Sequence, residues 1–317
     1  MDTDAKGRFQ NGNKQFTKQK RDSLGHFLSA KAPLGNGSDR KKFSKKEVES
    51  AIKLIENSGY FVTKTPLQQG YTFDLDIDPV KGKTYKIGCV SDTHLGSKYQ
   101  QLKSLHRFYK HCADEGITTI LHAGDICDGM FVYKGHEFEV FRHGADEICE
   151  YVCQNYPDYG ITTELLCGNH DESLYRRSGM DIGEAISNKR KDIIHRGFHS
   201  ANFLVGDLKI ALHHGIGGTA YARSYKCQKL AEAHVEDDPA EAARIIILGH
   251  YHCSCILPDY MKFFMVQMGC FQAQTSLGRR LGRIPDIAGI ILEFKGGRSF
   301  SVPKCTYLKY DSVKEDY

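Results

Sequence analysis

Five short polar clusters in this chain hold residues that could do chemistry together. They are Ser91-Asp92-Thr93-His94, Gly124-Asp125, Gly168-Asn169-His170-Asp171, His213-His214-Gly215 and Gly249-His250-Tyr251-His252. Aspartate and asparagine offer hard oxygen and histidine offers imidazole nitrogen, a mixture that suits Mn2+, Fe or Zn2+ better than Ca2+ or Mg2+. Asp92, His94, Asp125, Asn169, His214, His250 and His252 supply seven such donors. Seven are too many for one ion holding four or five, so two divalent cations sharing a bridging carboxylate account for the set.

Each cluster follows a short apolar run, and those runs are the elements that must position the donors. Lys86 to Ser91, Thr118 to Ala123 and Ile161 to Cys167 read as strands. Leu102, Leu105, Tyr109 and Cys112 form one face of a helix between the first two, and a helix from about Phe138 to Gln154 precedes the third. This α/β alternation predicts a parallel sheet with right-handed crossovers. Ala201 to His213, Arg244 to Leu248, Lys262 to Met268 and Ile287 to Phe294 are strand-dense, with a helix near Ala220 to His234. The carboxyl ends of strands in such a sheet face one crevice. Successive separations of 33, 44, 45 and 36 residues from Asp92 to His250 each leave room for a crossover or a return.

Upstream of this pattern the chain changes character. Residues 1–46 hold 12 Lys and Arg against 4 Asp and Glu, whereas the remainder holds 31 against 35, so the overall +4 hides a basic arm on a mildly acidic body. Residues 1–42 read as a disordered arm suited to a polyanion such as nucleic acid, since each phosphate contacted releases counterions; a solvated tail without a partner is the alternative. Residues 43–82 read as a small helix-strand element. Ser44 and Glu47 have capping-box spacing, Val48, Ile52 and Ile55 share a face, Gly59 ends the helix and Tyr60 to Lys64 is strand-like. It is either part of a winged helix or a brace on the body.

No apolar run reaches the roughly 18 residues of a bilayer span, the polar start lacks a signal-peptide core, and 11 cysteines without a C-x-x-C pair suit a reducing cytoplasm. Cys253 and Cys255 stand beside His250 and His252, yet their spacing is wrong for a zinc knuckle.

The ordered set D-x-H, G-D, G-N-H-D, H-G and G-H-x-H resembles the signature of the calcineurin-like metallophosphoesterases over about residues 85 to 295. The resemblance implies a four-layer α-β-β-α sandwich of two mixed sheets flanked by helices, here spanning 83–317 with a basic N-terminal extension. It assigns Asp92, His94 and His252 to one cation, Asn169, His214 and His250 to the other, and Asp125 to both. His213 and His214 compete for one place; the family ligand stands directly before the glycine, which favours His214 and turns His213 to the opposite face of its strand. His170 is implied to stabilise the phosphoryl oxygens and protonate the leaving alkoxide, with Asp171 orienting its ring. The expected reaction is hydrolysis without a covalent enzyme intermediate. Seven other histidines (106, 111, 122, 136, 143, 195 and 199) match no motif, and of these His122 could support the ligands from behind.

The family cleaves phosphoproteins, cyclic nucleotides, nucleotides and nucleic acids, and some members have lost their ligands and act as scaffolds. Met268 to Thr275, with Gly278, Arg279 and Arg280 downstream, is similar to the segment after G-H-x-H in the small, 3′-to-5′ exonuclease subunit of archaeal D-family DNA polymerases. That similarity implies a Mn2+-dependent phosphodiesterase or nuclease acting on nucleic acid, with Fe, Zn2+ or Mg2+ as other cations. A phosphatase or small-nucleotide phosphodiesterase is the alternative. The present chain lacks the long oligonucleotide-binding region of that subunit, and its basic arm could supply DNA-binding affinity instead.

Overall fold

The computed structural model describes residue 50 and residues 71–75, 84–205, 208–235, 244–295, 302–313 and 316. The fold belongs to a compact unit that begins at Thr65. The expected arm and the helix over residues 44–59 lie outside the described residues, apart from Ser50, which is helical.

The strands are β1 (Tyr71–Asp74), β2 (Thr84–Val90), β3 (Thr119–Ala123), β4 (Thr162–Cys167), β5 (Ile193–Phe198), β6 (Ser200–Val205), β7 (Leu208–His214), β8 (Ile245–Gly249), β9 (Cys255–Tyr260), β10 (Phe263–Gln267), β11 (Ala288–Lys295) and β12 (Lys304–Lys309). The helices are α1 (Leu102–Asp114), α2 (Ala145–Asn155), α3 (Asn169–Ser178), α4 (Ile182–Lys189), α5 (Tyr225–Val235) and the short α6 (Ser276–Arg280). Two six-stranded mixed sheets result, ordered β12-β11-β2-β3-β4-β5 and β1-β6-β7-β8-β10-β9. The alternation of strand and helix predicts a parallel sheet correctly for β2 to β5. It does not anticipate the antiparallel pairs β2-β11, β11-β12, β6-β7 and β9-β10.

Strand alternation builds four layers. In β8, Ile245 and Ile247 join Cys89, Leu121, Leu166, Leu212 and Ile290 between the sheets. Ile246 and Leu248 point the other way, onto Cys227 and Ala231 of α5. On the far side, Ile120, Leu165 and Val90 pack against Leu105, Phe108 and Cys112 of α1 and Ile148 and Val152 of α2. A side chain with a period of two on a strand and 3.6 on a helix can do nothing else when both faces must be covered. Among the described residues no helix is long and apolar enough to cross a membrane.

Three local details sharpen the expected boundaries. The helix expected from Phe138 begins at Ala145, because Gly144 sits at φ +96 and the preceding turn is only a 3-10 helix, His136–Phe138. The strand-dense segment Ala201 to His213 is a hairpin of two strands. Tyr71–Asp74, within the span expected to hold a small helix-strand element, pairs in parallel with β6 and is an edge strand of the body.

Candidate metal centre

All five clusters lie at carboxyl ends of the central strands: Asp92 and His94 after β2, Asp125 after β3, Asn169 after β4, His214 at the end of β7, His250 and His252 after β8. The backbone turns sharply to leave the sheet there. Nine non-glycine residues among those described have positive φ, and five of them are Asp92 (52), His94 (46), Asp125 (57), His250 (85) and His252 (56). This left-handed region costs most residue types free energy, and Asp and His tolerate it better than most.

The structure brings all seven expected donors together. His252 Nε2 lies 3.2 Å from Asp92 Oδ1 and 3.1 Å from His94 Nε2. His214 Nε2 lies 3.1 Å from Asp125 Oδ2, 3.0 Å from Asn169 Oδ1 and 3.3 Å from His250 Nδ1. Asp125 Oδ2 also faces His94 Nε2 at 3.9 Å, so one carboxylate oxygen looks into both groups. His213, by contrast, turns away from the site and meets His234 at 2.9 Å between Nε2 atoms.

Hydrogen bonds behind the donors fix which ring nitrogen faces the centre. His214 Nδ1–H donates to the Ala123 carbonyl at 2.8 Å, and His250 Nε2–H donates to the Gly217 carbonyl at 2.8 Å. His94 Nδ1–H donates to Asp128 Oδ1 at 2.8 Å. Each of these three rings therefore turns its other nitrogen inward. The carboxylates are held likewise: Asp92 Oδ2 accepts from the His250 backbone N–H at 2.8 Å and from Ser91 Oγ, and Asp125 Oδ1 accepts from the His170 N–H at 2.8 Å. Asp92 Oδ1, fully buried, has no hydrogen-bond donor. An orphaned carboxylate oxygen among converging lone pairs is what a cation position requires, so the donor set fits the metals that its chemistry implies.

The charges agree with this reading. Burial opposes protonation of His214, but the Asp125 charge and hydrogen bond outweigh it and lift the imidazole to about 9. Asp125 is itself buried, yet the His214 and His170 charges hold it well below the usual carboxylate range. His250 is pushed down to about 4 by burial and by the His214 charge. A divalent cation would replace these protons.

Asp171 does not orient His170. Neighbouring residues on a helix point about 100° apart, and Asp171 caps α3, accepting from the backbone N–H groups of Gly168, Ile126 and Cys127 at 2.9, 3.2 and 3.1 Å. Burial and the Asp125 charge raise its carboxyl to about 6. The partner of His170 is Asp128, whose carbonyl accepts from His170 Nδ1–H at 2.6 Å and whose Oδ1 lies 3.3 Å from the same atom. His170 Nε2 is left to face the cleft. Burial lowers the pKa of the ring, but the Asp125 and Asp128 charges outweigh it and raise it above its ordinary value.

Sequence reading missed Asp128, although an acid three residues after Asp125 and directly before a glycine was a usable signal. It also left His136 unassigned, whose buried Nε2 stands 3.3 Å from Asp128 Oδ2. Gln272, from the segment similar to the polymerase subunit, donates to Asp128 Oδ1 at 3.2 Å. Thr275 caps α6, and Gln274 donates to the Arg283 carbonyl. His122 lies behind the centre and holds the neighbours of the ligands, accepting from the Gly124 N–H at 3.2 Å and bonding Thr93 Oγ1 at 3.1 Å. Cys253 takes a hydrogen bond from Gln267, and among the described residues neither it nor Cys255 joins a metal-donor group.

The centre forms the floor of a cleft of about 830 Å³. Residues 85–275 match the calcineurin-like phosphoesterase superfamily domain. The chain belongs to that superfamily, and with it to the metal-dependent phosphoesterases. It is 23% identical over 247 residues to the DNA polymerase II small subunit of Methanothermobacter thermautotrophicus, covering 65% of this chain and 51% of that protein. The chain thus spans about half the length of this relative. Among solved structures it is similar to a phosphatase from Mycoplasma pneumoniae (TM-score 0.40, 11% identity, 73% of this chain and 95% of that one). A phosphoesterase from Escherichia coli is also similar (TM-score 0.35, 13% identity, 66% and 91%).

Proposed function

We propose that this protein is a two-cation phosphodiesterase that cleaves nucleic acid, working from the 3′ end, with Mn2+ as its cation. The observation that carries the two-cation reading is Asp125 Oδ2, an oxygen that faces both His214 Nε2 at 3.1 Å and His94 Nε2 at 3.9 Å. Asp92, His94 and His252 would hold one cation, and Asn169, His214 and His250 the other. The pair, when bound, supplies Lewis acidity toward the phosphoryl oxygens and an activated water.

The remaining work falls to the chain. His170, its Nδ1–H fixed on the Asp128 carbonyl, presents Nε2–H to a phosphoryl oxygen and delivers that proton to the leaving alkoxide. Asp128 keeps both His94 and His170 in register. Nucleic acid as substrate is supported by the relative named as a DNA polymerase small subunit and by the basic composition of residues 1–46. The 3′ polarity rests on the family resemblance alone.

The test is a panel of labelled single-stranded DNA, duplex DNA, RNA, and aryl phosphate mono- and diesters, each with Mn2+. Cleavage of DNA or RNA with mononucleotides released from the 3′ end is expected. A preference for the monoester would overturn the nuclease reading.

A further inference from the structure

Two loops rise from the metal centre and form the outer cleft. One runs through Ile216, Gly217 and Tyr221 and is tied to the centre, since the Gly217 carbonyl accepts from His250 Nε2–H and the Ile216 carbonyl accepts from Tyr251 Oη–H at 3.0 Å. The other runs from Leu277 to Pro285 and takes in most of α6. They meet at Gly218, where an added Cβ would lie 3.5 Å from Arg283 Nη2.

These loops expose what a folded chain ordinarily covers. Ile216 is 71% exposed, Ile284 76%, and Tyr221 fully. Arg279, Arg280 and Arg283 are exposed, and among the described residues none has a carboxylate partner. Arg176, Arg190, Arg196 and Arg223 pair with carboxylates, and Arg107, Arg142 and Arg177 lie over aromatic rings. Uncovered flat and apolar groups beside unpaired guanidinium groups match a ligand that alternates flat rings with anionic charge.

We infer that the outer cleft is a subsite for the nucleotides next to the scissile phosphate, with Tyr221 stacking an unpaired base and Arg283 holding the neighbouring phosphate. The inference rests on the nuclease reading and adds to it a preference for unpaired strands, because a ring can stack only on a base whose face is open. Arginine suits the task, since its planar fork grips a phosphate by two N–H groups.

The experiment compares a labelled thymidine hexanucleotide, a blunt duplex and the small diester bis-p-nitrophenyl phosphate, with Mn2+ and with wild type, Tyr221→Ala, Tyr221→Phe, Arg283→Ala and Arg283→Lys. Both alanine variants should lose about tenfold in kcat/KM on the hexanucleotide, through KM, beyond any loss on the diester. Arg283→Ala should also flatten the slope of log KM against log salt by about 0.7, the share of one phosphate on a single strand. Tyr221→Phe should keep the wild-type ratio of single strand to duplex, and Tyr221→Ala should bring it toward one. Equal losses on hexanucleotide and diester, or no loss on either, would refute the subsite and leave the nuclease standing. A wild-type protein that hydrolyses the diester but neither nucleic acid would refute both.

Discussion

Asp128→Asn is the most informative single change, because one buried carboxylate serves a proposed metal ligand and the proposed general acid together. Its Oδ1 takes the His94 Nδ1–H at 2.8 Å, stands 3.3 Å from His170 Nδ1 and takes Gln272 Nε2–H at 3.2 Å, while Oδ2 faces His136 Nε2. Asparagine keeps the shape but removes the charge and turns one acceptor into a donor. If its amide NH2 takes the place of Oδ2, Oδ1 still serves His94, but one of the charges that raise the His170 pKa is gone. If the amide flips, a donor opposes His94 Nδ1–H and the ring is driven to the wrong tautomer. Carboxylates behind ligating histidines are worth roughly 10- to 100-fold in metal affinity or activity, about 1.4 to 2.8 kcal/mol. Two dependants place this residue at the upper end of that range for turnover. Isothermal titration with Mn2+ and turnover of bis-p-nitrophenyl phosphate should show both quantities falling. His170→Ala is the comparison: it should spare metal binding and lower kcat by ~10². An Asp128→Asn protein with wild-type Mn2+ affinity and turnover would refute the positioning argument.

Other outcomes follow from the same geometry. In Gly168→Ala the new Cβ falls 2.3 Å from Asp125 Oδ1 and 2.6 Å from His214 Nε2; overpacking of this kind costs about 1 to 3 kcal/mol, so bound metal per chain should drop and the thermal midpoint fall. His122 is held down to about 3, first by burial. The unfolded chain therefore gains its proton near pH 6.5 and the folded one does not, so stability present above pH 6.5 is lost as pH falls toward 3. Urea unfolding in EDTA should show that loss in wild type and less of it in His122→Gln. Removing residues 1–46 takes away 12 Lys and Arg and should weaken nucleic-acid binding and flatten its salt dependence in a fluorescence titration. Unchanged affinity would mean that the arm touches no phosphate.

The candidate donors were legible in the sequence because each cluster follows an apolar run, and Asp125, Asn169 and His250 stand directly after a glycine. Asp128 ends no strand, and its one signal, an acid before Gly129, takes on meaning only where His170 of α3 meets it. The capping role of Asp171 was hidden for a related reason. Gly168 to Asp171 reads as a loop motif, whereas Asn169 already begins a helix whose first turn needs an acceptor. The edge strands β9 and β12 escaped notice because they are half-exposed and lack an apolar run, while the central β8, buried at every position, was plain.

The left-handed turns at Asp92, His94, Asp125, His250 and His252 narrow the alphabet these positions can draw on whether or not the protein works. A descendant that abandoned chemistry would still be steered toward Asp, Asn, His or Gly there, since a β-branched residue would unsettle the loop. Asn169 and His214 carry no such backbone demand. When related chains are sorted into working and idle ones, those two sites are the more telling witnesses.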